Sequence, residues 1–316
     1  MHESRPRIGI MGTGAIGGFY GAMLAQAGFD VHFLLRSEFE AVREHGLRVN
    51  SVPRGVLHLR KVQAYRDVAD MPPCDWLLVG AKTTSNPSLA PAIVQAAAAG
   101  AKVVLLQNGI AVEDAMRPLL PDTLHLLGGL CFICVHREAP GVVEHQSQGA
   151  ISLGYHSGPA LGPDRQALID EGVAMFREAG LDSHAAASLE QARWQKLVWN
   201  APYNGLAVLL QADTRALMDN PDSVALVESI MREVVSVARA AGHALPEGLA
   251  EKMLKTTRHM PDYLPSMYHD HAQGRPMELE AIYAAPLAAA ARLGVEMPRT
   301  EALFRALRFI AARQSA

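Results

Sequence analysis

In the stretch KLVWNAPYN, residues 196–204, one cation and two amides recur at four-residue spacing among apolar neighbours. At about 100° per helical residue, Lys196, Asn200 and Asn204 stay within an arc of roughly 80° and form one stripe. Trp194, Leu197, Val198, Trp199, Leu206, Val208 and Leu209 occupy the rest of the circumference, the pattern of a helix buried on most sides. A buried stripe of an ammonium and two carboxamides has to face something polar. Either it is a narrow solvent strip with Lys196 snorkelling to water, or it faces a ligand. A positioned ammonium suits a reaction that builds negative charge on an oxygen and then protonates it. Ser188 and Gln191 have the spacing of a capping box at the start of this helix. Pro202 within it has no N–H for the Val198 carbonyl, so a kink is expected.

A second group of residues points to a nucleotide. Near the N-terminus, IGIMGTGAIGGFYGAMLAQAGFDVHFLLR places Gly12-Thr13-Gly14-Ala15-Ile16-Gly17 after an apolar strand and at the start of a helix. Gly12 permits a tight turn, Gly14 lets a pyrophosphate approach the backbone and Gly17 lets helix and strand pack closely, while the helix N-terminus favours the negative charge. An acidic residue at the end of the second strand would select NAD. Here that end reads Leu34-Leu35-Arg36-Ser37, and a guanidinium beside a hydroxyl suits the 2′-phosphate of NADP(H). Glu38 and Glu40 follow too late to take the carboxylate's part. Lys82 and Asn108 stand where two further strands, LLVGAK and VVLLQN, end, the edge at which open α/β sheets bind ligands. As a metal site the Cys131-x-x-Cys134 pair fails: residues three apart on a strand face opposite ways, and no second pair completes a zinc set. His269 and His271 beside Asp270 read as a polar loop or helix end.

The elements that position these groups follow from periodicity. The first half alternates short apolar runs with helical patterns, the grammar of a parallel, doubly wound sheet. Between about Cys131 and Gly154, GLCFICVH, GVVEHQ and AISLGY suggest antiparallel strands appended to it, followed by a helix over 163–179. From Ser188 the pattern is almost continuously helical: 188–210, 221–241, 246–259, 261–273, 276–293 and 299–313. The expected class is α/β, with a Rossmann-type NADP-binding domain over 1–187 and an all-helical substrate domain over 188–316, packed about a cleft. With 316 residues, 49% of them hydrophobic, the chain is long enough for two cores. A formal net charge of -3 without a basic run disfavours nucleic acid and anionic lipid as partners. The N-terminus shows no signal-peptide core, and the Ala-rich stretch from Leu89 to Leu106 is broken by Gln95, Gly100 and Lys102, so neither secretion nor a membrane span is expected. Three cysteines cannot build a disulfide framework, which fits a reducing cytoplasm. The oligomeric state stays open, a homodimer included.

These residues together resemble the ketopantoate reductase (2-dehydropantoate 2-reductase) family over nearly the whole chain. The resemblance rests on Gly12 to Gly17, on Arg36, Lys82 and Asn108-Gly109, and on K-L-x-x-N-x-x-x-N at Lys196, Asn200 and Asn204. It continues through Ser266-Met267, Asp270, Gly274-Arg275 and Glu278. It implies NADPH-dependent reduction of a small 2-keto acid, 2-dehydropantoate, to pantoate on the way to pantothenate. It further implies Lys196 as general acid and Glu278 as its support, with Asn200, Asn204 and Ser266 holding the substrate and Asn108 near nicotinamide and substrate. The chain departs from the family pattern at Ala207, where Thr is frequent, and at Pro265, where Ser is frequent; both positions bear on which keto acid is taken. A β-hydroxyacid dehydrogenase also carries K-x-x-x-N after a Rossmann domain, but with a Gly-rich turn before the lysine, and Ser188–Arg193 contains no glycine. A non-catalytic NADP sensor on the same fold has no need of Lys196 together with Glu278.

Overall fold

The computed structural model describes residues 5–314. They form two compact units: the residues through Gln107 with Val112–Leu189, and Asn108–Ala111 with the residues from Glu190 onward.

The first unit is built on one sheet. Its strands and helices are β1 (Arg7–Met11), α1 (Ala15–Gln26), β2 (Asp30–Leu34), α2 (Phe39–His45), β3 (Leu47–Ser51), β4 (Gly55–Leu59), β5 (Gln63–Tyr65), β6 (Cys74–Val79), α3 (Asn86–Ala96), β7 (Ala97–Leu105), α4 (Val112–Met116), β8 (His125–Ala139), β9 (Val142–Ser157), α5 (Pro163–Glu178) and β10 (Ser183–Ala185). The order across the sheet is β4-β3-β9-β8-β7-β6-β1-β2-β5, with β10 beside β9. From β8 to β5 every pairing is parallel. Strands covered on both faces must be apolar nearly throughout, as β1 and β6 are. The order reverses between β1 and β6, so the crevice for a ligand opens where those two strands end, and the turn from Gly12 to Gly17 follows β1 there.

The appended antiparallel strands are two rather than three, because GVVEHQ and AISLGY are one long strand, β9, paired to β8. The register skips Gln146, Gly149 and His156 on β9, where Gln148 and Gly149 take positive φ, and Glu138 near the end of β8. Between Leu127 and Arg137 β8 keeps its alternation. Leu127, Cys131 and Val135 share one core cluster, whereas Cys134 stands opposite Ser147 on β9. All three cysteines are buried and none is in a disulfide. The strands β3, β4 and β5 carry no strong sequence signal, since β4 is largely exposed and β5 has three residues.

The second unit is helical: α6 (Leu189–Leu210), α7 (Thr214–Asp219), α8 (Pro221–Ala240), α9 (Leu249–His259), α10 (Ser266–Ala272), a π-helical turn over Glu280–Ala284, α11 (Ala285–Leu293) and α12 (Pro298–Gln314). The helix expected over 261–273 begins only at Ser266, after Pro265 in extended conformation; proline disfavours helix in the residue before it. The helix expected over 276–293 begins as the π turn, which adds a residue to a turn and leaves Glu278 ahead of it. Val198, Ala201, Leu206, Val227, Ile230, Val234 and Leu307 form the centre of this unit's core. No described helix is long and apolar enough to cross a membrane.

Candidate active site

The three glycines of the first turn divide the work as their positions demand. Gly12 sits at φ 95°, where a Cβ would lie 2.6 Å from the Ala81 amide nitrogen. At Gly17 a Cβ would lie 2.2 Å from the Gly12 carbonyl oxygen, so helix and turn could not close. A Cβ on Gly14 would meet nothing within 4 Å. That open face, at an α1 N-terminus with no side-chain cap and no acid in its first turn, is a cradle suited to a diphosphate. Ala15 and Ile16 open α1, and the buried Thr13 hydroxyl donates to the Leu34 carbonyl at 3.4 Å, tying the turn to the end of β2.

At that strand end Arg36 and Ser37 are exposed, and the Arg36 guanidinium engages no carboxylate among the described residues. The two nearby acids are occupied elsewhere. Glu38 is buried against Arg137 and accepts from the Gly141 amide at 3.4 Å. Glu40 pairs with Arg66 at 2.5 Å and Arg43 at 2.6 Å. The residues present therefore fit NADP(H), with a free cation where its 2′-phosphate belongs. Lys82 follows β6 and accepts the Ser85 amide on its carbonyl at 2.9 Å. Beside it, Asn86 and Gln107 exchange amide hydrogen bonds of 3.0 and 2.6 Å and Gln107 donates to the Ala81 carbonyl, which fixes the ends of β6 and β7. The sequence carried no signal for that pair beyond its polarity.

The second unit assembles the other group. Lys196 is partly buried, and its Nζ donates to Asn108 Oδ1 at 2.8 Å. The Asn108–Ala111 segment is held from two sides: Ile110 N–H donates to the Ala281 carbonyl in the π turn at 3.0 Å, and the buried Arg193 reaches the Gly109 carbonyl at 3.5 Å. Gly109 has φ 98°, and a Cβ on it would lie 2.5 Å from the Ala281 oxygen. The glycine of Asn108-Gly109 is thus required for the approach that delivers Asn108 to Lys196. Arg193 and Ala281 were absent from the sequence reading; buried arginine on an apolar helix was the available signal for the first.

The two asparagines of the stripe differ. Asn204 is buried and largely committed, accepting the Met267 amide at 3.2 Å and donating to the Asn200 carbonyl at 3.0 Å. It ties α6 to the start of α10 and so places Ser266. Asn200 is equally buried, yet its side-chain amide has no partner among the described residues, and neither has the Ser266 hydroxyl. Asp270 is buried and accepts from the Arg275 side chain at 3.0 Å, pinning the loop that leads to Glu278. Glu278 is a buried acidic residue two positions before the π turn. Ala207 is fully buried in α6, and Pro265 starts α10 by accepting the Tyr268 amide at 2.9 Å. Among the described residues no three His, Cys, Asp or Glu side chains are grouped to hold a metal.

A Rossmann-type unit with a diphosphate cradle, joined in one chain to a helical unit bearing a held ammonium and unspent amide and hydroxyl groups, defines a nicotinamide-dependent oxidoreductase. The chain belongs to the ketopantoate reductase family: the family profile described as Ketopantoate reductase PanE/ApbA matches residues 8–158 and its C-terminal counterpart residues 188–311. A 2-dehydropantoate 2-reductase of Nostoc is 42% identical over 97% of this chain and 96% of its own length. Among solved structures, that of 2-dehydropantoate 2-reductase from Geobacter metallireducens superposes with a TM-score of 0.89 at 41% identity, covering 96% of this chain and 99% of that one. The enzyme of the same name from Methylococcus capsulatus gives 0.83 at 35% identity, covering 98% of each chain.

Proposed function

We propose that the protein reduces 2-dehydropantoate to pantoate with NADPH, in the cytoplasm, as a step toward pantothenate. The observation that carries this reading is the Lys196 ammonium held at 2.8 Å by Asn108, on the same helix as the unspent amide of Asn200. Bound NADPH would supply a hydride to the 2-keto carbon, leaving negative charge on the keto oxygen. Lys196 stabilises that charge and gives the oxygen its proton, then recovers one from solvent. The buried carboxylate of Glu278 favours the charged lysine against desolvation and accepts from the new hydroxyl. Asn200, Ser266 and the remaining N–H of Asn204 hold the keto acid. Gly12 to Gly17, Arg36 and Lys82 bind the cofactor phosphates and ribose, and Asn108 orients the lysine. Three buried cysteines without a disulfide suit a reducing compartment.

The test is NADPH oxidation against a panel of branched 2-keto acids. Ketopantoate should be turned over fastest, and with strong preference for NADPH over NADH. A higher kcat/KM on another keto acid would reassign the substrate and turn attention to Ala207 and Pro265, while equal use of both cofactors would remove the role given to Arg36.

A further inference from the structure

Tyr283 lies in the π turn that follows Glu278, and the reduction chemistry makes no use of a phenol there. Its side chain is fully buried, a costly place for a hydroxyl without partners. The hydroxyl donates to the Ala201 carbonyl in α6 at 2.7 Å. Burial pushes the phenol's pKa far up, and the Gly205 N–H acting on the same oxygen opposes that rise. Ala201 and Gly205 are one i, i+4 step of the α6 ladder, so the hydroxyl sits at a place where helix backbone ordinarily meets only itself. Gly205 makes the room: a Cβ there would lie 2.4 Å from the Tyr283 oxygen. Three residues before Gly205, Pro202 has no N–H to give the Val198 carbonyl. The ladder of α6 thus lacks one bond at Pro202 and, three residues on, meets an inserted side chain, and side chains lodged in a ladder are a known cause of helix bends. Asn200 and Asn204 are the residues immediately before Ala201 and Gly205.

We propose that Tyr283 is a positioning residue: its hydroxyl, wedged at the Ala201–Gly205 step, sets the turn of α6 that separates Asn200 from Asn204. It thereby keeps Asn204 on the Met267 amide and the groups of Asn200 and Ser266 at the spacing the keto acid needs. This rests on the reductase reading above. The π turn then serves two purposes, carrying the proposed catalytic carboxylate ahead of it and shaping the facing helix from its far end.

The test removes the wedge from either side. Tyr283→Phe deletes the hydroxyl and keeps the ring beside Phe304; Gly205→Ala forces the hydroxyl out and also crowds Leu303, whose Cδ2 would lie 2.7 Å from the new Cβ. Each should raise the KM for ketopantoate roughly ten- to a hundredfold, the scale of a misplacement of about 1 Å, with a smaller fall in kcat and an unchanged Kd for NADPH. The double variant should lose no more than Gly205→Ala alone, since the clash with the hydroxyl is then relieved and the one with Leu303 Cδ2 is common to both. Hydrogen exchange over residues 203–207 reads the contact without turnover and should quicken in Tyr283→Phe. Unchanged exchange overturns the wedge, and quickened exchange with unchanged KM overturns the positioning role, leaving Tyr283 merely structural. A parent protein inert toward ketopantoate overturns the reductase reading instead, and the exchange measurement tells the two failures apart.

Discussion

A lysine serves as an acid at neutral pH only if something keeps it charged and aimed, and here Asn108 aims it while Glu278 is the candidate for charge. Lys196→Ala should lower kcat by roughly two to four orders of magnitude with NADPH binding intact, as expected for loss of a positioned acid. Glu278→Ala should also impair turnover, and in the double variant the free-energy losses should sum to less than the two singles if the residues act as a unit. Parent-like rates for Lys196→Ala on every keto acid tested would return that residue to a snorkelling surface group. The stripe itself was legible from spacing alone. What spacing could not show is that Asn204 spends its amide on Met267 while Asn200 keeps its own free, because that depends on where α10 lands. The cofactor end gives a second case. Arg36 was readable at the strand end, but the fate of Glu38 was not, since its partner Arg137 lies 99 residues away. Arg137→Met should release the Glu38 carboxylate beside Arg36 and narrow the preference for NADPH over NADH severalfold. An unchanged ratio of kcat/KM values would show that Glu38 has no say in cofactor choice.

Helices and strands position these side chains through contacts that only glycine allows. Gly109 combines a positive φ with close approach to Ala281 in the π turn, so Gly109→Ala should cost about 1–3 kcal/mol of stability, the range for overpacking, and should lower turnover by pushing Asn108 off Lys196. Gly14→Ala is the informative contrast. The protein itself has room for that methyl group, so the melting temperature should hold while NADPH binding weakens. If Gly14→Ala binds NADPH as tightly as the parent, the diphosphate cradle is elsewhere. Most elements were visible in the sequence: α5, α6, α8 and α12 begin and end within about two residues of their expected bounds, the usual margin for helix ends. The misses share a cause. β4 is exposed and β5 short, so neither shows a strong apolar period, and the π turn looks in sequence like uninterrupted α-helix because its extra residue changes hydrogen bonding rather than composition. Likewise Asn108–Ala111 reads as a strand-end turn of the first half, although it groups with the second unit through Lys196, Arg193 and Ala281.

Across the whole molecule, the two-part plan was legible because a change from alternating to continuous helical periodicity is a long-range signal, whereas the pH dependence of stability hangs on buried groups with no sequence signature. His145 is the clearest of these. It is almost fully buried, takes the Ser51 hydroxyl within 2.8 Å of Nδ1 and faces the Ser147 and Gln148 carbonyls with Nε2, a set that satisfies the neutral ring with its proton on Nε2. Burial lowers its pKa from the ordinary 6.5, the two carbonyls work against that shift and Arg54 adds to it. His125 is lowered too, by burial and then by Lys102. Both folded values lie below the unfolded ones, so the unfolded chain binds more protons as the pH falls under 6.5. Their contribution is fully present above that pH and is lost as the pH drops through the lowered values. The melting temperature should therefore be level between about pH 8 and pH 7 and decline toward about pH 5. His145→Gln retains an acceptor for Ser51 and a donor for the carbonyls but cannot charge. It should melt lower than the parent near neutrality and show a shallower decline below pH 6.5. A decline as steep as the parent's would assign the acid sensitivity to other groups and leave His145 as packing beneath Phe19.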